Sequence, residues 1–294
     1  MNKYIFKVKN IPLLTLQEIE YILSQIPKME SNNIRVSLSL GIDFEEITAT
    51  PEKVIFRGKE VSINFLLDLK EKLDERTIIG IFDDDFNKIA WYSDGKYYKL
   101  CNTGFRKAPT LEISGIHMHR VTGIDPWKDS ALKVKLLKVP RDGKILDICT
   151  GLGYTAINMV INGARLVYTI EKDINVLQMA ELNPWSRRLS DPRIHVILGD
   201  ATEVLGKFPN NYFDRILHDP PRFALAPELY TRSFYEELYR ILKPGGRLVH
   251  YTGSPGSKYR RIDIARGVIK KLKEIGFKAY REKRIQGVIA LKKR

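Results

Sequence analysis

From Asp129 onward the chain alternates helix-like and strand-like segments. SALKVKLLK precedes KILDIC, and the runs ARLVYTIEK, IHVILGD, FDRILHD, GRLVHYTG, FKAYREKRI and GVIALKK follow. This alternation predicts an α/β fold: a doubly wound, mostly parallel sheet whose ligands sit at the carboxyl ends of its strands. Only Gln286 and Gly287 stand between Ile285 of the one run and Val288 of the next. So short a link cannot make the right-handed crossover that parallel neighbours require, so these two strands are expected to pair antiparallel.

The first part of the chain reads differently. LTLQEIEYILSQI has the spacing of an amphipathic helix, whereas RVSLSL, KVIFRG, IIGIFD, IAWYSD and KYYKLC are short β-rich runs between turn residues. The expectation is a smaller α+β domain over 1–124 followed by the α/β domain over 125–294. With 294 residues, 44% apolar and 29% charged, the chain has enough material for both cores, and disordered or disulfide-stapled scaffolds are excluded. Its two cysteines, Cys101 and Cys149, point to a reducing compartment. No run reaches the roughly 18 to 20 apolar residues of a membrane span, and the start MNKYIFKVKNIPLLTL lacks the long apolar centre of a signal peptide. A cytoplasmic protein without membrane contact is expected.

The first strand of the second domain closes on Asp147-Ile-Cys149-Thr-Gly151-Leu-Gly153-Tyr-Thr-Ala, where glycines permit a tight turn and close approach of backbone to a ligand. Glu171 ends the next strand, 20 residues after Gly151, where an acidic side chain can accept ribose hydroxyl protons. Gly199-Asp200-Ala201 ends the third, where a carboxylate can receive an adenine amino group. A lone G-x-G-x-x-A is weak, since glycines at such turns also serve packing. Taken with Asp147, Glu171, Asp200 and the antiparallel end, the segment 125–294 resembles the class I S-adenosylmethionine-dependent methyltransferases. That resemblance implies a seven-stranded sheet and S-adenosylmethionine as cofactor. Its amino-acid part would lie over the Gly151–Gly153 turn, its ribose on Glu171 and its adenine by Asp200 and Ala201. Cys149 stands where the family often has glycine. HDPPRF and HYTGSPGS resemble stretches of archaeal predicted methyltransferases, a likeness that covers most of the chain.

His218-Asp219-Pro220-Pro221-Arg222-Phe223 follows the fourth strand at the same edge. Two prolines fix the backbone, and Asp219 with the Pro220 carbonyl can accept hydrogen bonds from an amino group and aim its lone pair at an electrophilic methyl. The stretch resembles the Asp/Asn-Pro-Pro-aromatic signature of amino-methyltransferases, with Arg222 in place of the aromatic. Phe223 or Tyr230 can supply a ring for base stacking, and Arg222 can stack or contact phosphate. Leu242-Lys-Pro-Gly245-Gly246 reads as a helix stop and turn. Asp125–Ser130 leads into the domain and is a candidate cover for the cofactor.

Charge bears on the acceptor. The net +14 is concentrated: residues 1–100 carry 14 basic and 16 acidic side chains, whereas 251–294 carry 14 basic and 3 acidic. Such clustering points to a polyanion, RNA before others. Lys258, Arg260 and Arg261, in the loop after the fifth strand, are candidate phosphate contacts, while Lys270, Lys271 and Lys273 read as a solvated helix face. His117 and His119 alternate on one face, but no third ligand has recognisable spacing, so no metal is expected. The reading is methyl transfer to an amino group, most of all of a tRNA or rRNA base. Competing readings are aminopropyl transfer to a polyamine as in spermidine synthases, protein methylation, and a non-catalytic RNA-binding protein on a relict fold. The intact set Asp147, Glu171, Asp200 and Asp219 argues against the last. Oligomeric state is not legible.

Overall fold

The computed structural model describes residues 2–26, 33–82, 85–253 and 263–294. They fall into two compact units. One comprises Val8–Pro126 and Gln178–Arg187; the other comprises the start of the chain up to Lys7, Trp127–Leu177 and Arg188–Arg294. The changeover at Pro126/Trp127 falls beside the expected border at 124/125, and two short segments cross it. The first has a physical reason. Tyr4 N donates to Val196 O (2.9 Å) and Leu198 N to Asn2 O (3.0 Å), so the start of the chain pairs antiparallel along a sheet edge that would otherwise present bare N–H and C=O groups.

The N-terminal unit is α+β. Three antiparallel sheets of three, four and four strands are joined by helices at Leu16–Gln25 and Ile63–Lys72. Thr15 and Ser62 cap the helices by accepting the backbone N–H groups of Glu18 and Phe65. Its core gathers Leu14, Ile19, Ile22, Val36, Ala49, Val54, Phe56 and Leu66.

The second unit holds a seven-stranded sheet with strands β1 (Lys144–Ile148), β2 (Leu166–Glu171), β3 (Ile194–Leu198), β4 (Phe213–His218), β5 (Leu242–Tyr251), β6 (Phe277–Glu282) and β7 (Gly287–Lys292). The spatial order is β3-β2-β1-β4-β5-β7-β6. The first five strands run parallel and β7 runs antiparallel to both its neighbours. The expected antiparallel pair is present, but the link is longer than the two residues read from the sequence. β6 stops at Glu282, and a 3₁₀ turn, Lys283–Ile285, leads to Gln286 in the left-handed region (φ 51°).

Among the described residues six α-helices accompany the strands: α1 (Pro126–Leu137), α2 (Tyr154–Ile161), α3 (Ile174–Leu182), α4 (Ala201–Val204), α5 (Arg232–Ile241) and α6 (Ile264–Ile275). Helical periodicity decides what they bury. On α5 the buried residues are Phe234, Tyr235, Leu238 and Ile241, and on α6 they are Ala265, Val268 and Leu272, one stripe each. These stripes close the core with Leu146, Ile148, Ile216 and Leu248 of the strands. Truncating one large member such as Phe234 to alanine would cost about 3–5 kcal/mol. Lys270 and Lys273 face outward as expected, but Lys271 is half-buried and its Nζ donates to Tyr230 O (2.8 Å).

The registers align the strand ends. Ile148 lies opposite Ile170 and His218, Glu171 opposite Leu198, and His218 opposite His250. The residues that follow β1, β2, β3 and β4 therefore emerge along one rim.

Candidate active site

Every site residue within the described chain lies in the second unit, on that rim. After β1 the backbone turns through three left-handed residues: Cys149 (φ 73°), Gly151 (φ 54°) and Gly153 (φ 77°). The amides of Cys149 and Thr150 both donate to Ile170 O at 3.0 Å, which ties the turn to β2. Cys149 thus adopts the backbone that favours glycine. The two glycines differ in role. A Cβ on Gly151 would meet nothing within 4 Å, whereas one on Gly153 would come 2.4 Å from Leu189 Cδ1. Gly151 opens onto free space and Gly153 onto packing.

Asp147 is fully buried under this turn. Its Oδ2 accepts from the hydroxyls of Thr155 (3.0 Å) and Thr169 (2.9 Å), and its Oδ1 has no hydrogen-bond partner among the described residues. Burial pushes its carboxyl up to about 7, against the two hydroxyl bonds. Glu171 accepts Gly151 N on Oε2 (3.0 Å) and Lys172 N and Asp173 N on Oε1 (2.9 and 3.1 Å). Burial still raises its carboxyl above the ordinary value. With three of about four lone-pair directions taken, Oε2 is the atom left to receive a further hydroxyl. Asp200 caps α4. Its Oδ1 accepts the Thr202 N–H (2.8 Å) and hydroxyl (2.6 Å), and these bonds with nearby Lys172 hold its carboxyl below the usual range despite partial burial. Ala201 is buried as the first residue of α4.

Asp219 arrives at the same place from β4. Its amide donates to Ile148 O (3.2 Å), which sets it beside the end of β1 and the start of the turn. Pro220 is buried and Pro221 partly so, and the Pro221 carbonyl accepts the Tyr230 hydroxyl at 2.9 Å. Tyr230 is itself buried, so of the two rings proposed for stacking it fixes the loop from beneath, while Phe223, 43% exposed and edge-on to Tyr230 at 5.4 Å, faces solvent. Arg222 is exposed. Beneath the loop, the rings of His218 and His250 lie 4.4 Å apart, tilted by 33°, and burial drives both imidazoles well below their ordinary range. Both are neutral at physiological pH, so neither is a cation at the site.

Sequence reasoning missed Lys133. It is buried on α1, and its Nζ donates to Asp219 Oδ2 at 2.6 Å and lies 3.0 Å from Asp129 Oδ2 and 4.7 Å from the Tyr251 ring centre. Burial alone would lower its pKa; the two carboxylates outweigh it and raise the value. The signal was a lysine four residues after an aspartate, ordinary for an exposed helix face. Lys258, Arg260 and Arg261 fall outside the described residues. His117 lies 3.2 Å from Glu112 and against Arg76, and His119 Nδ1 lies 3.0 Å from the Thr110 hydroxyl. Among the described residues no group of three or more His, Cys, Asp and Glu is placed to hold a metal, and no helix is long and apolar enough to cross a membrane.

The donor set suits an adenosyl sulfonium carrying an amino-acid tail. A buried carboxylate with an unpartnered oxygen lies under the turn, space opens beside Gly151, and carboxylates follow β2 and β3. Comparisons agree. Residues 176–287 match a family described as S-adenosyl-L-methionine-dependent methyltransferase. Uncharacterized protein MJ1233 of Methanocaldococcus jannaschii is 42% identical over 283 residues, 94% of this chain and 96% of that one. Putrescine N-methyltransferase 3 of Nicotiana tabacum is 30% identical over 172 residues, 55% of this chain and 41% of that enzyme. A spermidine synthase solved with the transition-state analogue AdoDATO shares the fold, with a TM-score of 0.58 at 20% identity over 74% of each chain. This chain belongs to the S-adenosylmethionine-dependent methyltransferases, and S-adenosylmethionine is its methyl donor.

Proposed function

We propose that the enzyme methylates an amino nitrogen, and that the acceptor is a base of RNA. The observation that carries the reaction type is Asp219, fixed on the donor rim by its own amide and by Lys133, with two prolines stiffening the residues after it. When bound, the donor supplies an electrophilic methyl whose departing bond pair stays on sulfur. The protein's part is to hold and aim. An acceptor N–H donating to Asp219 is turned so that the nitrogen lone pair faces the methyl, and the proton released after attack passes to the carboxylate or to water. Tyr230 holds the Pro221 peptide, and Phe223 offers a solvent-facing ring to a base.

Charge supports RNA as the acceptor. Over 263–294 the three acids are each paired with a cation of the same stretch: Asp263 with Arg281, Glu274 with Lys270 and Glu282 with Arg284. Of the 11 Lys and Arg there, eight remain beyond those three pairs. Lys283 and Arg284 follow β6 at the same end of the sheet as Asp219, and Lys258, Arg260 and Arg261 follow β5 in the sequence. A second reading, methylation of a polyamine, draws on the likeness to the tobacco putrescine enzyme over 55% of this chain.

Labelled methyl donor offered in parallel to RNA, DNA, protein extract and polyamines tests this. Label in RNA, weakening as salt rises, is expected. Label confined to putrescine or to protein would overturn it. Asp219→Ala is expected to abolish transfer with donor affinity within a few-fold, and an active variant would remove the acceptor site.

A further inference from the structure

Two carboxylates, Asp129 from α1 and Asp219 from the end of β4, converge on one buried ammonium, Lys133. The other groups facing it are the Tyr251 ring at the end of β5 and, at longer range, Asp147 of β1, while Arg222 acts on the same tyrosine. The lysine offsets one negative charge beside Asp219, and the oxygen of Asp219 nearest the cation is already engaged.

That balance bears on which amine reacts. Nitrogen attacks through a lone pair, which an alkylammonium lacks until it loses a proton. A doubly negative position stabilises the protonated form and gathers polyamines. A position with its own buried cation holds them less strongly and leaves Asp219 to accept from an amine that is already neutral, as the exocyclic amine of a base is. Resting on the amino-methylation reading above, we propose that Lys133 is a specificity-determining residue: its ammonium makes the acceptor position select an uncharged amine over an alkylammonium.

The test titrates putrescine into the full chain saturated with S-adenosylhomocysteine, by NMR, which reads weak affinities. Lys133→Met is expected to tighten putrescine binding by about tenfold or more, the scale of one added charge a few ångströms away. Lys133→Arg is expected to leave it as in the wild type. Equal affinities for wild type and Lys133→Met would overturn the proposal. Should Lys133→Met not fold, Asp129→Asn decides: it keeps the cation, removes one carboxylate and is expected to weaken putrescine binding several-fold, with no change counting against the proposal. Label transfer to RNA separates this from the acceptor reading. Unlabelled RNA with the putrescine response intact refutes the RNA acceptor and keeps the charge rule. Labelled RNA with an unresponsive putrescine affinity does the reverse.

Discussion

Asp147 is a carboxyl that the fold holds at the edge of ionisation, and replacing it with asparagine makes this measurable. Burial lifts its pKa from 3.8 to about 7. Three units at about 1.4 kcal/mol each give about 4 kcal/mol. Because the folded value is the higher one, the native chain binds this proton more tightly than the unfolded chain. Its contribution is therefore most favourable below about pH 4, is lost progressively as pH rises to about 7, and is flat above. Asp147→Asn keeps an oxygen for the Thr155 and Thr169 hydroxyls and has no proton to lose. Denaturant unfolding of both proteins from pH 5 to 9 should show the wild type losing about 2–3 kcal/mol relative to the variant by pH 7, with no further divergence above. Parallel curves across that range would refute the account of a buried, strained carboxyl. The methyl donor supplies the functional counterpart. Its ammonium beside Asp147 would favour the ionised form, so calorimetry near pH 6.5 in buffers of different ionisation enthalpy should register proton release on binding to the wild type and none with Asp147→Asn.

Cys149→Gly relieves a left-handed φ of 73°, so unfolding should show the variant up to about 1 kcal/mol more stable, with donor affinity retained. Burial, with Glu171 and Asp219 nearby, raises the Cys149 thiol well above its ordinary range, so iodoacetamide at pH 7.5 should leave it unmodified in the native protein. Gly153→Ala forces a side chain into a φ of 77° and against Leu189, and a loss of about 1–3 kcal/mol is expected, read as a lowered denaturant midpoint. Tyr230→Phe removes the bond to the Pro221 carbonyl; stability should fall by about 1 kcal/mol and the transfer rate should fall with donor affinity unchanged.

The sheet was legible because its physics is local to each run. Uninterrupted apolar strands and helical stripes such as Phe234, Tyr235, Leu238 and Ile241 announce themselves over a few residues. The N-terminal unit was legible only in part. The helix Ile63–Lys72 and strands Glu45–Ala49, Lys59–Ser62 and Asp85–Lys88 escaped, although Ser62 stood as a helix cap. Leu66 is the buried residue of that helix, so its pattern is faint, and pairing partners decide short strands more than their own composition does. The 3₁₀ turn at Lys283–Ile285 escaped for a related reason: apolar Ile285 reads as strand, yet it is buried within a turn.

The site divides along the same line. Asp147, Gly151, Glu171, Asp200 and Asp219 were visible because strand ends fix their positions and their types are unusual there. Lys133 was not, since it does its work by being buried, and Tyr230 was read for its ring rather than for the hydroxyl that holds the Pro221 carbonyl. On α1 the buried face comprises Pro126, Asp129, Ser130, Lys133, Val134 and Leu137, spaced as an ordinary apolar stripe would be, with three of its six positions polar. A helix that turns charge inward gives up hydrophobic burial on that face, and a buried ion pair seldom returns the difference as stability. Its retention there is understandable if the charge has work at Asp219, and this predicts an asymmetry. Replacing Lys133 and Asp129 together by Met and Asn should leave the fold intact or firmer while impairing transfer, whereas removing the lysine alone takes the shared cation from both carboxylates and should destabilise it by about 3–5 kcal/mol. Unfolding and transfer rates for the two variants decide the matter: a double variant as active as the wild type would show that Asp219 needs no cation to hold it in place.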